Sequence, residues 1–227
     1  PALTTIAADV TLDITPDEIV IKGVPGNRQM SVLSVKNISD EAVQIACAAA
    51  IPPELRGVAM GAVTGDDFVC AGWVQISPAS LTLPAGQRRN FKMEVAIPAQ
   101  GVTQPNYYAH LIILASYPDG QSAGETTKMI WVQNRKAQSE AKAEPIKMTV
   151  AWQEEDKHVI TAQFGNVGNI DFSPAGYATL ATPVGAVVTS VELETAMERV
   201  LPLGTPTFSA VMDMAKVEPG FYLLTST

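Results

Sequence analysis

The chain has 227 residues, a mass of 24.1 kDa and a formal net charge of −8, from 15 Lys and Arg against 23 Asp and Glu. Hydrophobic residues make up 47% and charged residues 17%, the composition of a folding chain and not of a disordered one. Scattered cations on an acidic background exclude a nucleic-acid binder that works through a basic face, and no apolar run approaches the roughly 18 residues of a membrane-spanning helix.

Val, Ile and Thr supply 57 residues, a quarter of the chain, which leans toward strands. In chain order the first strand candidates are Val10–Ile14, Glu18–Lys22 and Met30–Lys36. Val43, Ile45, Cys47 and Ala49 then alternate with Gln44, Ala46 and Ala48. Val74–Ser77 follows, and Phe91, Met93, Val95 and Ile97 alternate with Lys92, Glu94 and Ala96. Period-two alternation gives a strand one core face and one solvent face. Tyr107–Ser116 and Thr127–Val132 complete the first half. Turn chemistry separates these runs at Val24-Pro25-Gly26-Asn27, Asn37–Asp40, Pro84-Ala85-Gly86 and Pro118-Asp119-Gly120.

The stretch NRKAQSEAKAEP, 134–145, holds no large apolar residue. It reads as a linker, 135–145, between a domain at 1–134 and a second at 146–227. Strand candidates resume at Ile146–Trp152, His158–Phe164, Tyr177–Leu180, Ala186–Leu193, Thr207–Met212 and Phe221–Thr225. Val191–Val200 has helix formers enough to be a helix instead. Strands at this spacing, with Pro and Gly between them, predict an all-β protein of two tandem immunoglobulin-like β-sandwiches. The second spans 82 residues against about 100 for such a domain. A final strand is therefore expected to be missing, supplied by a longer parent chain or by a partner.

A weak internal repeat fits two copies of one plan. Ser34-Val35-Lys36-Asn37-Ile38-Ser39 is echoed by Gln163-Phe164-Gly165-Asn166-Val167-Gly168, and each half has a tyrosine-led late strand, at Tyr107-Tyr108 and Tyr222. Asn in such a turn can hydrogen-bond its own backbone. Tyr in such a place resembles the tyrosine corner of immunoglobulin-like folds.

Cys47 and Cys70 fit neither a zinc site nor a Cys-x-x-Cys pair. They read either as one disulfide of an exported protein or as two buried thiols of a reduced one. Gly120-Gln121-Ser122-Ala123-Gly124 matches the G-x-S-x-G nucleophile pattern, but a strand follows it where that chemistry requires a helix, so a hairpin loop explains it. His110 and His158, the only histidines, fall in different halves, which predicts no triad and no metal site. Asp66-Asp67 and Glu154-Glu155-Asp156 lack calcium-loop spacing and read as solvated turns. Asn37-Ile38-Ser39 reads as a turn and not a glycosylation site. Trp73, Trp131 and Trp152 read as core fillers. The expectation is no enzyme, no cofactor and no metal.

Ile14-Thr15-Pro16 with Ile19-Val20-Ile21, Pro25-Gly26 and Val35-Lys36-Asn37-Ile38-Ser39 resemble the opening of bacterial exported immunoglobulin-like domains, the superfamily of the PapD-like pilus chaperones and related surface proteins. Val74-Gln75-Ile76-Ser77-Pro78 with Leu81-Thr82-Leu83-Pro84-Ala85-Gly86 is similar to that family's passage of strand, Ser-Pro, strand and Pro-x-Gly. Phe164–Asn169 and Val200-Leu201-Pro202 match it in the second half. The resemblance implies an exported protein, periplasmic or extracellular, that binds a protein partner such as a pilus or surface subunit. It also implies, as alternatives, a pilus-type chaperone that adds a strand to its client, or an accessory carbohydrate-binding module of a secreted hydrolase. Pilus chaperones hold a client carboxylate with a basic pair; here the first-strand arginine is absent and only Lys128, Arg135 and Lys136 are at hand. If the strand Lys128, Met129, Ile130, Trp131, Val132 lies at a sheet edge, it is the candidate partner-binding strand.

Overall fold

The computed structural model describes residues 12–154 and 156–226. They fall into two compact units: a first running to Gln138 with 58–63 excepted, and a second formed by 58–63 and 139 onward.

The first unit is a sandwich of two sheets. Its strands are β1 (Leu12–Thr15), β2 (Ile19–Gly23), β3 (Arg28–Asn37), β4 (Val43–Ala50), β7 (Val74–Ser77), β8 (Ser80–Leu83), β9 (Arg88–Ala96), β10 (Asn106–Ser116) and β11 (Ser122–Asn134), while the two-residue strands β5 (Ala59–Met60) and β6 (Val63–Thr64) fall in or beside the stretch 58–63 that counts with the second unit. One sheet has the order β1-β3-β9-β7, the other β2-β11-β10-β4-β8, and β5 pairs with β6 in a small hairpin of its own. The leading segment is shared between the two main sheets. β1 runs antiparallel to β3, and after Pro16 the chain crosses over so that β2 runs parallel to β11, with Ile19 beside Ile130. The alternation foreseen for β4 and β9 is realised: Val43, Ile45 and Cys47 face Phe91, Met93 and Val95 across one core that also takes Leu33, Val35, Leu111, Ile113, Ile130 and Val132. Each such side chain, fully buried, contributes about 1.5–3 kcal/mol. Gly26 and Gly86 hold φ of 87° and 70° at the third position of the turns Val24-Pro25-Gly26-Asn27 and Pro84-Ala85-Gly86-Gln87, the left-handed place that a type II turn reserves for glycine.

The second unit comprises β12 (Ala143–Glu154), β13 (Lys157–Asn166), β14 (Gly176–Ala181), β15 (Val187–Leu193), β16 (Thr207–Asp213) and β17 (Leu223–Ser226). Its sheets are β12-β13-β16 and β15-β14-β17. Ile160, Ala162, Phe208, Ala210 and Met212 meet Ala178, Leu180 and Leu193 between them. β12 begins at Ala143, so three residues of the stretch read as linker belong to a strand. The helix considered for Val191–Val200 is absent: Val191–Leu193 end β15, and Glu194 bridges to Ser209 instead.

The Asn repeat is a shared plug. Asn37 is fully buried; its Nδ2 donates to the carbonyls of Glu41 (2.7 Å) and Leu83 (3.0 Å), and its Oδ1 accepts from the Ser39 amide (3.0 Å). Asn166 repeats this on Ile170 (2.9 Å), Val200 (3.0 Å) and the Gly168 amide (3.0 Å). With its amide spent in this way, Asn37 is a turn residue, closed to glycosylation in the folded state. The tyrosines also anchor locally: the Tyr107 hydroxyl accepts from the Gln104 amide and the Tyr222 hydroxyl donates to the Glu218 carbonyl.

Candidate functional site

Along β11, the edge expected for residues 128–132 is only partly there. Ile130, Trp131 and Val132 lie between β10 on one side and β2 on the other, so they are interior and cannot receive a strand. Among the described residues, the open edge is the other end of β11, from Ser122 to Met129, which pairs with β10 alone. That stretch reads Ser-Ala-Gly-Glu-Thr-Thr-Lys-Met and offers no row of large apolar side chains. Lys128, with a side chain only 15% exposed, is also occupied: its Nζ donates to the carbonyls of Ile14 and Pro16 and to the Asp17 carboxylate at 3.1 Å. It ties β11 to the crossover between β1 and β2.

The catalytic alternatives do not assemble. Ser122 opens β11 opposite Ser116, whereas His110 stands six residues back along β10, roughly 20 Å away at strand rise. Burial holds the His110 imidazole below its usual pKa, with Glu54 opposing and Arg56 assisting. His158 is in the other unit, and its Nδ1 is buried with no hydrogen-bond partner among the described residues. No group of three or more His, Cys, Asp and Glu converges among the described residues. Cys47 and Cys70 are free thiols, both buried, so of the two alternatives the bridge is not the one the structure contains. Burial pushes the Cys47 thiol up to about 11 and raises Cys70 further still. A thiol so poised is a small core hydrophobe and not a nucleophile.

In the second unit one side of the sandwich is closed by hydrogen bonds. Glu194, just past β15, and Ser209 of β16 exchange two backbone hydrogen bonds of 2.9 Å, stitching that pair of edges together. β12, at the other edge of its sheet, carries part of the same core face. Met148 pairs with Ala162, Val150 with Ile160 and Trp152 with His158, so all three share the face of the buried Ile160 and Ala162. They are nevertheless 37%, 51% and 68% exposed. Ile146 is a bulge residue on the opposite face, beside Gly165, and is not part of this row. At the Ala143 end the same face leads to an apolar cleft of about 80 Å³, lined by Phe164, Phe172, Pro174 and Phe208 among others.

No family model matches the chain, and no curated protein matches it. Solved structures do. The YadV chaperone superposes with a TM-score of 0.50 over 96% of this chain and 98% of its own, at 10% identity. This chain has the PapD-like fold. The Escherichia coli chaperone DraB (TM-score 0.49, 13% identity, 88% of this chain and 85% of that one) and the Pseudomonas aeruginosa CupB2 chaperone (0.48, 12%, 94% and 98%) are similar to it too.

Within this PapD-like fold, the sequence-derived residues divide clearly. Met129 stands at the inner limit of the open stretch of β11, Lys128 is spent on the crossover, and Ile130 and Val132 are core. Trp73 is a core filler as expected, packed on the first unit's core and against Tyr107 at 4.5 Å between ring centroids. Trp152 is not. Its strand has the alternation of a core face, and it lies on one, yet its side chain is exposed. The exposed Trp152 and Tyr177 lie on different sheets.

Proposed function

We propose that this chain is an exported, non-catalytic protein-binding or assembly module, with a polypeptide partner, and that the uncovered face of its second unit makes the contact. One observation carries the reading: Met148, Val150 and Trp152 share the core face of a sheet and are nevertheless exposed. Soluble proteins blunt or cover such faces, because an exposed apolar edge invites association. The PapD-like fold, shared with the YadV chaperone, supports the same reading and with it an exported, periplasmic or extracellular setting. A second reading, chaperone action by strand addition along β11, draws on the open Ser122–Met129 edge; the small and polar side chains there supply no apolar row, and it ranks behind.

The test is capture from an envelope extract of the producing cell. Wild-type protein should retain a polypeptide partner that Trp152→Glu fails to retain, with the melting temperature of the variant unchanged. Identical capture by both proteins, or by neither, ends the proposal.

A further inference from the structure

We infer that the first unit pairs with a second copy of this chain through the outer face of its five-stranded sheet, about a two-fold axis that runs along the strands between β4 and β10. This goes beyond the protein-binding reading above, which concerns the second unit, and it stands or falls separately.

The strand registers define the face. On β4 and β10 the outward residues Ala46, Ala48, Ile112 and Leu114 alternate with the buried Ile45, Cys47, Leu111 and Ile113. Across β8, β4, β10 and β11 one row reads Ser80, Ala46, Leu114, Glu125. The next row, toward the Pro118-Asp119-Gly120 turn, reads Thr82, Gln44, Ser116, Ser122. On the other side Ala48 stands beside Ile112. Leu114 projects from this face, 47% exposed. Beside it Gln44, Ala46, Ser116, Gly120 and Ser122 line a hollow of about 390 Å³. In these rows Glu125 carries the only charge.

Each row complements its own reverse. A two-fold axis along the strands lays β10 of one copy on β4 of the other and β11 on β8, with the rows kept in step. Leu114 then enters the copy's hollow over Ala46, and Ile112 meets Ala48, and the symmetry makes each contact twice. Glu125 comes to face the copy's Ser80, whose hydroxyl can donate to it, and Ser122 faces Thr82. No like charges meet, so the face accepts itself without an electrostatic penalty. Four strands about 4.8 Å apart, crossed by three to four rows about 6.8 Å apart, span about 400–500 Å² of flat sheet. The pair therefore buries about 1,000 Å², the low end for specific association, which suits a reversible dimer.

The test is sedimentation of the full chain over a concentration series. The wild-type chain should pass from monomer to dimer in the micromolar range. Leu114→Glu should weaken the dimer at least about a hundredfold, about tenfold at each of two equivalent sites, because a carboxylate is buried unpaired at both. Leu114 is half exposed, so dilute variant should keep the wild-type melting temperature. Met30→Glu, on an exposed position of the other main sheet, should leave the dimer unchanged. Ser80 reads the axis. Ser80→Asp sets a carboxylate against the copy's Glu125 and should weaken the dimer several-fold at low salt and less at high salt, whereas Ser80→Lys should strengthen it. The inference is overturned if the chain is still monomeric at about 1 mM. It is equally overturned if the dimer survives Leu114→Glu, if Met30→Glu disrupts it as much, or if the two Ser80 variants act alike. None of these results bears on envelope capture through Trp152, so the two readings fail separately.

Discussion

Replacing Asn37 with alanine removes a plug and leaves its partners where they are. The Leu83 carbonyl is buried and loses its Nδ2 donor; the Glu41 carbonyl and the Ser39 amide lose theirs at less buried positions. A buried orphan costs about 1–3 kcal/mol, and each part-exposed bond about 0.5–1.5 kcal/mol, so the sum is roughly 3–4 kcal/mol. Asn37→Asp is worse, because it sets a carboxylate against two carbonyl oxygens in a site with no exposed surface. Urea unfolding followed by hydrogen exchange should place the Asn37→Ala loss in the first unit, and the equivalent Asn166→Ala loss in the second. A cost below about 1 kcal/mol for Asn37→Ala would refute the reasoning, since one buried orphan alone should exceed it.

Lys128→Met should lower the first unit's stability by about 1.5–3 kcal/mol, measured by thermal melting, because a charged donor to the β1–β2 crossover is lost. Gly168→Ala should destabilise the second unit by at least about 1–3 kcal/mol, since its Cβ would stand 2.3 Å from the Glu140 carbonyl oxygen, an atom of backbone that cannot swing aside. Cys47 contributes a pH dependence of definite sign. Its folded-state pKa is raised by burial from 9.0 to about 11, so the unfolded chain loses that proton first. Stability should fall as pH rises from about 9 toward 11, and Cys47→Ala should flatten that part of the profile in urea titrations. A thiol reagent at pH 8 should leave Cys47 and Cys70 unmodified until the protein is unfolded.

The strands were legible where one face is core and the other is solvent. β4, β9 and β13 announce themselves by alternation, and Pro-Gly turns mark where the chain reverses. The Asn plugs were visible as a repeat because their task is local: each bonds two or four residues ahead before it reaches across the sandwich. β5 and β6 left no signal, being two residues long. The candidate partner strand is ambiguous in the sequence for a different reason. Both faces of Lys128–Val132 are apolar, which is true of an interior strand as much as of a sticky edge, and only the parallel pairing with β2 decides between them. Trp152 shows the converse. Its pattern is that of a core residue, and exposure depends on whether something stands opposite, which no local pattern records.

The division of the leading segment between two sheets bears on how the chain is made. Ile19 finds its neighbour in Ile130, more than a hundred residues downstream, so β2 has no seat until β11 has left the ribosome. Through most of synthesis the nascent amino-terminal half must be kept from premature association, and closure waits on a single late event of high contact order.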